Sequence, residues 1–314
     1  TFQVGFIMIT SGAFIVAAAC CYAINVFFTS AFCRAHRFEQ AFILSSACWL
    51  LITTTAGLLL AINLVHTFIP RNHIDFLKLH AHAGLVGWFL QLITGVSIKL
   101  IPMFLLGKSN KEHLLKKAFL FQNLGLILFL IDGFFFPIGF RMLYYGILIL
   151  IGIGCWFFYL YDAYRHRIRK KIDYLMRISG LSFLSLLLAL LCLPVTFFAA
   201  SHLWTSLYGL FLFLGWISAL ILGQTFKTLP FIVWNIHYGK INGEVAVPLP
   251  KQLYSERLCK GQYYLYLIAF SSLILGLSTH IQWIIQLALL LWLCLAVSYC
   301  IHVFKVIFHK PQER

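Results

Sequence analysis

Acidic side chains are scarce. The chain has nine Asp and Glu among 314 residues, and all charged types together reach 11%, against about 25% in a soluble domain. No stretch is polar enough to form a separate soluble domain, and no loop is large enough for a nucleotide-binding domain. The motifs of common soluble chemistries are missing too: no phosphate-cradling Gly-rich loop, no G-x-S-x-G, no H-E-x-x-H and no C-x-x-C-H for covalent haem. Nine cysteines are present without a C-x-x-C. Cys20, Cys21, Cys48, Cys155, Cys192, Cys294 and Cys300 fall in apolar runs, where a free thiol behaves as a small hydrophobe.

What fills the chain is hydrophobic residues, at 61%. Runs of membrane-spanning length, roughly 20 residues, stand at about 4–32, 41–69, 76–106, 115–137, 139–163, 174–200, 203–234, 261–279 and 281–306. The fold class that follows is all-α: one transmembrane domain over residues 1–314, a polytopic bundle of about nine helices in a lipid bilayer. The least marked break is Phe134-Phe135-Phe136-Pro137-Ile138-Gly139, where Pro and Gly predict a turn. The first run is too long for a signal-peptide core and no cleavage site follows it, so it reads as a true span.

A net charge of +15 invites a nucleic-acid reading, but its distribution argues against one. When alternate loops are assigned to alternate sides, all but Arg71, Lys78 and Arg141 of the 24 Lys and Arg fall on one side. That is the positive-inside pattern, and it predicts an outer N-terminus and a cytoplasmic C-terminus.

The sequence also repeats. Gly87-Trp88, Gly95, Lys99 and Pro102 in the third run recur at one constant offset as Gly215-Trp216, Gly223, Lys227 and Pro230 in the seventh. The repeat halves are roughly 41–137 and 174–280, and the runs before each motif break near Pro70 and Pro194. The glycines predict close helix approach and the tryptophans internal packing. Lys99 and Lys227 are expected to snorkel to the headgroups. The histidines of the third run are not repeated, so a site there is asymmetric on a duplicated scaffold.

Twelve histidines are present. His36, His113, His166, His237 and His309 fall in or beside basic loops. His302 lies inside the last run with no evident partner. The outer side holds His66, His73, His80, His82, His202 and His280, half of them all. Imidazole is a common ligand for haem iron, copper and zinc, and ionisable groups inside membrane helices are costly. His80 and His82 stand about 200° apart on a regular helix and cannot readily share one metal. His80 shares its face with Gly84, Gly87, Gln91 and Gly95, which admits either a flat cofactor or a close helix. His82 lies with Val86, Phe89 and Ile93. His80 is therefore the preferred ligand, with His82, His66 and His202 as further candidates; the competing structural reading is an imidazole bonded to a backbone carbonyl. Asp132, well inside an apolar run, needs a partner, and Arg141 just past the turn is the obvious one. The other role for Asp132 is to relay protons or orient a ligand. Arg71 and Arg141, on the side poor in charge, can bind an anionic group.

The stretch Leu79-His80-Ala81-His82-Ala83-Gly84-Leu85-Val86-Gly87-Trp88 has the form L-H-x-[HN]-x-x-x-x-G-W on a long helix ending in Pro102. It resembles the second helix of haem-copper oxidase subunit I, above all its C-type and nitric-oxide-reductase-like branches, and it is similar to smaller subunit-I-like relatives and to the NnrS family. The resemblance implies a bacterial cytoplasmic-membrane protein holding haem b near its outer face. His80 would be one axial ligand, with His82 in its place if the motif is read as in NnrS. His66 or His202 would be the second, and Arg71 and Arg141 would stand where propionates could be held. No His-Pro-Glu-Val-Tyr helix and no His-His pair occurs, so oxygen reduction by the family mechanism is not expected. Electron transfer, or handling or sensing of a diatomic gas, is what remains, with other respiratory-chain subunits or a cytochrome as partners. The alternatives are a copper site for metal handling or oxidase assembly, a proton-coupled transporter, and a structural subunit of a respiratory complex.

Overall fold

A computed structural model describes residues 2–31, 37–69, 72–137, 139–199, 201–239, 242 and 247–309. Among them are nine helices long and apolar enough to cross a membrane, as the sequence predicts. They are α1 Phe2–Ala31, α2 Arg37–Val65, α3 His73–Leu105, α4 Glu112–Phe135, α5 Met142–Arg165, α6 Tyr174–Ala199, α7 His202–Tyr238, α8 Glu256–Thr279 and α9 Gln282–Ile307. The protein is a multi-pass, all-helical membrane protein.

Local chemistry explains where the helices begin and end. Asn72 caps α3 by accepting the Ile74 N–H at 3.0 Å, and Asp75 lies in the first turn, where a carboxylate complements the helix dipole. Ser255 caps α8 in the same way through the Leu258 N–H. The turn expected at 134–139 forms, with α4 ending at Phe135 and α5 starting at Met142. The break expected at Pro194 does not: α6 runs through that proline to Ala199, and membrane helices tolerate interior proline. Pro70 lies outside the described residues.

The chain forms two compact units, residues 1–170 and 171–314. In the first, glycines set the α2–α3 packing. A Cβ on Gly87 would come within 2.6 Å of Trp49 Cγ, and one on Gly95 within 2.8 Å of Phe42 Cβ and 3.3 Å of the Glu39 carbonyl. The face of Gly84, Gly87 and Gly95 is thus taken up by a close helix, α2. α4 and α5 meet in the same manner, with Gly125 on the Tyr145 carbonyl and Gly152 on Gln122 and the Ala118 carbonyl. α1 lies against α2 through Gly5 and Gly12 and leaves most of its apolar surface open.

The second unit uses the same device between α6 and α7. A Cβ on Gly215 would meet Ser185 Cβ at 2.6 Å, and one on Gly223 the Leu175 carbonyl at 2.8 Å. Glu39 and Leu175, and Trp49 and Ser185, are related by a single offset, so the partner helices correspond residue by residue as the motif helices do. Both motif helices also loosen at matching places, into π-helix over Ala83–Leu90 and Leu210–Ser218. Trp216 is buried, as expected of a packing residue. Lys227, expected to snorkel, is instead 8% exposed and ion-paired with Asp173; that acid, just before α6, offers a partner closer than the headgroups. Lys99, at the matching place in the first unit, is exposed.

Candidate functional site

Near the N-terminal end of α3, His80 meets a concavity of the first unit. His80 is half-buried, and its Nδ1 lies 3.0 Å from the Thr53 carbonyl of α2. A carbonyl only accepts, so the proton sits on Nδ1 and the Nε2 lone pair is left for another partner. The ring rests against Gly57, where a Cβ would stand 2.9 Å from His80 Cε1. His80 also lines a cavity of about 460 Å³ whose other walls are apolar: Ile52, Ala56 and Leu60 of α2, Phe68 and Ile69 beyond it, Phe76, Leu79 and Ala83 of α3, and Leu130 and Phe134 of α4. A volume of that size is in the range of small-molecule and cofactor pockets, roughly 300–1,000 Å³.

The other histidines have different settings. His82 donates Nδ1–H to its own helix, at 2.8 Å from the Lys78 carbonyl. Its ring lies 4.6 Å from that of Phe129 on α4. The two imidazoles thus turn toward different helices, as their angular separation predicts, and His82 is not among the cavity walls. His66 is exposed in the bend after α2 and does not line the cavity either. His202 is exposed at the first residue of α7, in the second unit. Arg71 lies outside the described residues. Asp132 and Arg141 do pair, at 3.3 Å, yet without hydrogen-bond geometry; the Arg141 guanidinium donates to the Pro137 carbonyl and lies over the Phe136 ring. Among the described residues no three His, Cys, Asp or Glu side chains gather as a metal site.

Several polar residues that organise this region carry no motif. Asn63, 5% exposed, shapes the α2–α3 connection by accepting the Phe68 and Ile69 N–H groups at 2.9 and 2.8 Å. That bond places two cavity walls. One π-segment below, Asn123 of α4 gathers three donors on its amide oxygen: Ser45 Oγ, Trp49 Nε1 and Gln91 Nε2, at 3.0, 3.0 and 2.9 Å. The only sequence signal for them was an amide in an otherwise apolar run. In the second unit, His302 gains the partner the sequence did not reveal: its Nε2 accepts the Ser255 N–H at 3.1 Å and its ring stacks on Phe226. This is a structural imidazole that supports the cap of α8. The eight described cysteines are all free thiols.

Comparison of the chain with models of protein families, with curated proteins and with solved structures finds no match to any of them.

Proposed function

We propose that this membrane protein binds haem b through His80, and uses it in electron transfer or in the handling or sensing of a diatomic gas. The observation that carries the reading is the state of His80 itself. Its Nδ1 is committed to a backbone carbonyl, the arrangement that orients metal-binding imidazoles and raises their basicity, and the ring borders an apolar cavity of cofactor size. The motif around His80, similar to that of haem-copper oxidase subunit I and of NnrS proteins, supports the same residue from the sequence.

The donor set favours haem over copper. Haem needs one or two imidazoles and an apolar pocket, whereas a copper site built from protein alone calls for several gathered ligands. His80 would hold the iron, Thr53 would fix the tautomer, and Phe68, Phe76 and Phe134 would keep water from the macrocycle. When bound, haem supplies a one-electron couple and an affinity for small gases, tuned by its axial ligands and surroundings. Within the first unit, His66 is the candidate for a second ligand from the sequence. Two imidazoles suit electron transfer; one leaves a position for a gas. The bias of Lys and Arg supports an orientation with the His80 end outside, and the resemblance to haem-copper oxidase subunit I supports a bacterial inner-membrane setting. Respiratory-chain subunits or a cytochrome would then be the electron partners.

An absorption spectrum of the purified chain, oxidised and reduced, tests this. A Soret band with sharp reduced α-bands, lost or turned high-spin in His80→Ala, is the expected result. No haem absorbance from cells given ample haem precursor, or an unchanged low-spin spectrum in His80→Ala, would overturn it. Copper found by metal analysis without iron would replace it with the copper reading.

A further inference from the structure

At the far end of the first unit from His80, two connections join into one surface. The Ile168 N–H donates to the Leu106 carbonyl at 3.1 Å and the Arg169 N–H to the Leu105 carbonyl at 3.3 Å. Gly107 packs directly on the Ala163 carbonyl. Ser109 and Lys111 both reach Asp162, at 2.7 and 3.2 Å. The α3–α4 and α5–α6 connections are therefore held rigidly side by side.

This surface carries charge that the protein does not neutralise. Asp162 is engaged by Lys111. Lys108, Lys116, Lys117 and Arg165 are exposed and have no acidic partner among the described residues. The Arg167 guanidinium lies over Tyr164, 3.8 Å from the ring centre, and donates to the Tyr164 carbonyl. Its Nε is buried with no hydrogen-bond partner among the described residues. The same two connections carry two exposed apolar side chains, Leu106 at 59% and Ile168 at 79% exposure. Leu106 adopts φ 51°, a left-handed conformation unfavourable for leucine and usual for glycine at this helix-end position. A charge bias suffices to orient a helix. It does not require a strained leucine beside an exposed isoleucine on two connections rich in Lys and Arg.

We infer that this joined surface binds anionic phospholipid of the leaflet it faces. Leu106 and Ile168 would contact the acyl chains, while Lys108, Arg165 and Arg167 hold the headgroup phosphate. Basic side chains next to membrane helices attract anionic lipid in this way, and a guanidinium suits phosphate in particular.

Thermal melting of the full chain in detergent, titrated with phosphatidylglycerol, phosphatidylcholine or soluble glycerol 3-phosphate, tests the inference. Phosphatidylglycerol alone should stabilise. Lys108→Gln and Arg167→Gln should each weaken its binding by about fivefold, while Arg257→Gln in the second unit should not. Leu106→Gly relieves the backbone strain, so it should melt no earlier than wild type without lipid and yet respond less to phosphatidylglycerol. The inference is overturned if phosphatidylcholine stabilises equally, if glycerol 3-phosphate alone reproduces the effect, or if Lys108→Gln, Arg167→Gln and Leu106→Gly all bind phosphatidylglycerol as wild type does.

Discussion

The imidazole of His80 crosses from α3 to α2 and donates its Nδ1 proton to the Thr53 carbonyl at 3.0 Å. A carbonyl has two lone pairs and can accept this bond beside any helical one; the Thr53 hydroxyl donates to the Trp49 carbonyl, at 2.7 Å. The tautomer of His80 is thus set by helix packing, not by a neighbouring charge.

The packing beneath the ring gives the first prediction. Gly57 leaves no room for a side chain, since a Cβ would lie 2.9 Å from His80 Cε1. Gly57→Val should push the imidazole off the Thr53 carbonyl and reproduce the spectral loss of His80→Ala with every histidine intact. His82→Ala should have the smaller effect, because His82 faces Phe129 and not the cavity. Reduced and oxidised absorbance of both variants checks this; a His82→Ala spectrum as damaged as that of His80→Ala would move the ligand to His82.

The polar knot gives a second prediction. Asn123→Ala would leave the Ser45, Trp49 and Gln91 donors facing an empty acceptor position inside the bundle. Each unsatisfied buried group costs about 1–3 kcal/mol. Allowing for one donor finding another acceptor, a loss of about 2–6 kcal/mol is expected, read as a lower melting temperature in detergent. A change within experimental scatter would show that the three donors are satisfied elsewhere.

Asp132 and Arg141 are coupled at 3.3 Å, but Arg141 is half-exposed and its side chain also serves Pro137 and Phe136. Their coupling in a double-mutant cycle should therefore be modest, about 0.5–1 kcal/mol. Strictly additive losses would mean that the pair contributes nothing to stability.

Orientation is open to direct measurement. In a background free of other cysteines, an impermeant thiol reagent added from outside should label Arg71→Cys and spare Lys170→Cys. The reverse pattern would invert the topology and put the His80 end in the cytoplasm.

Most of the fold was legible in the sequence because the bilayer imposes it. Long apolar runs must be helices, and Pro137 marks the end of one. The glycine and tryptophan repeat was legible as spacing, and Asp132 had only Arg141 within reach. What escaped was whatever depends on a partner distant in the chain. Lys227 looked like a snorkelling lysine until Asp173 stood beside it. Asn123 carries no motif, and only the fold brings Ser45, Trp49 and Gln91 onto it. The face of Gly84, Gly87 and Gly95 suited a cofactor or a helix equally well, since small residues state only that something comes close. The cavity, by contrast, is built from ordinary Ile, Leu and Phe residues whose spacing carries no mark of the space between them.

The paired π-segments bear on how the chain came about. A π-turn closes over five residues where an α-turn closes over four, so each segment stores extra length inside a helix that otherwise runs on unchanged. Both stores sit at the same place relative to Gly87 and Gly215. If one half was copied from the other, the extra length was already present in the ancestor, and the copying came second. The surplus also acts as slack. A one-residue deletion within 83–90 can be absorbed by tightening to α-helix, with the helix axis preserved, whereas the same deletion within 91–94 must rotate Gly95 relative to Gly87, so that both can no longer face α2.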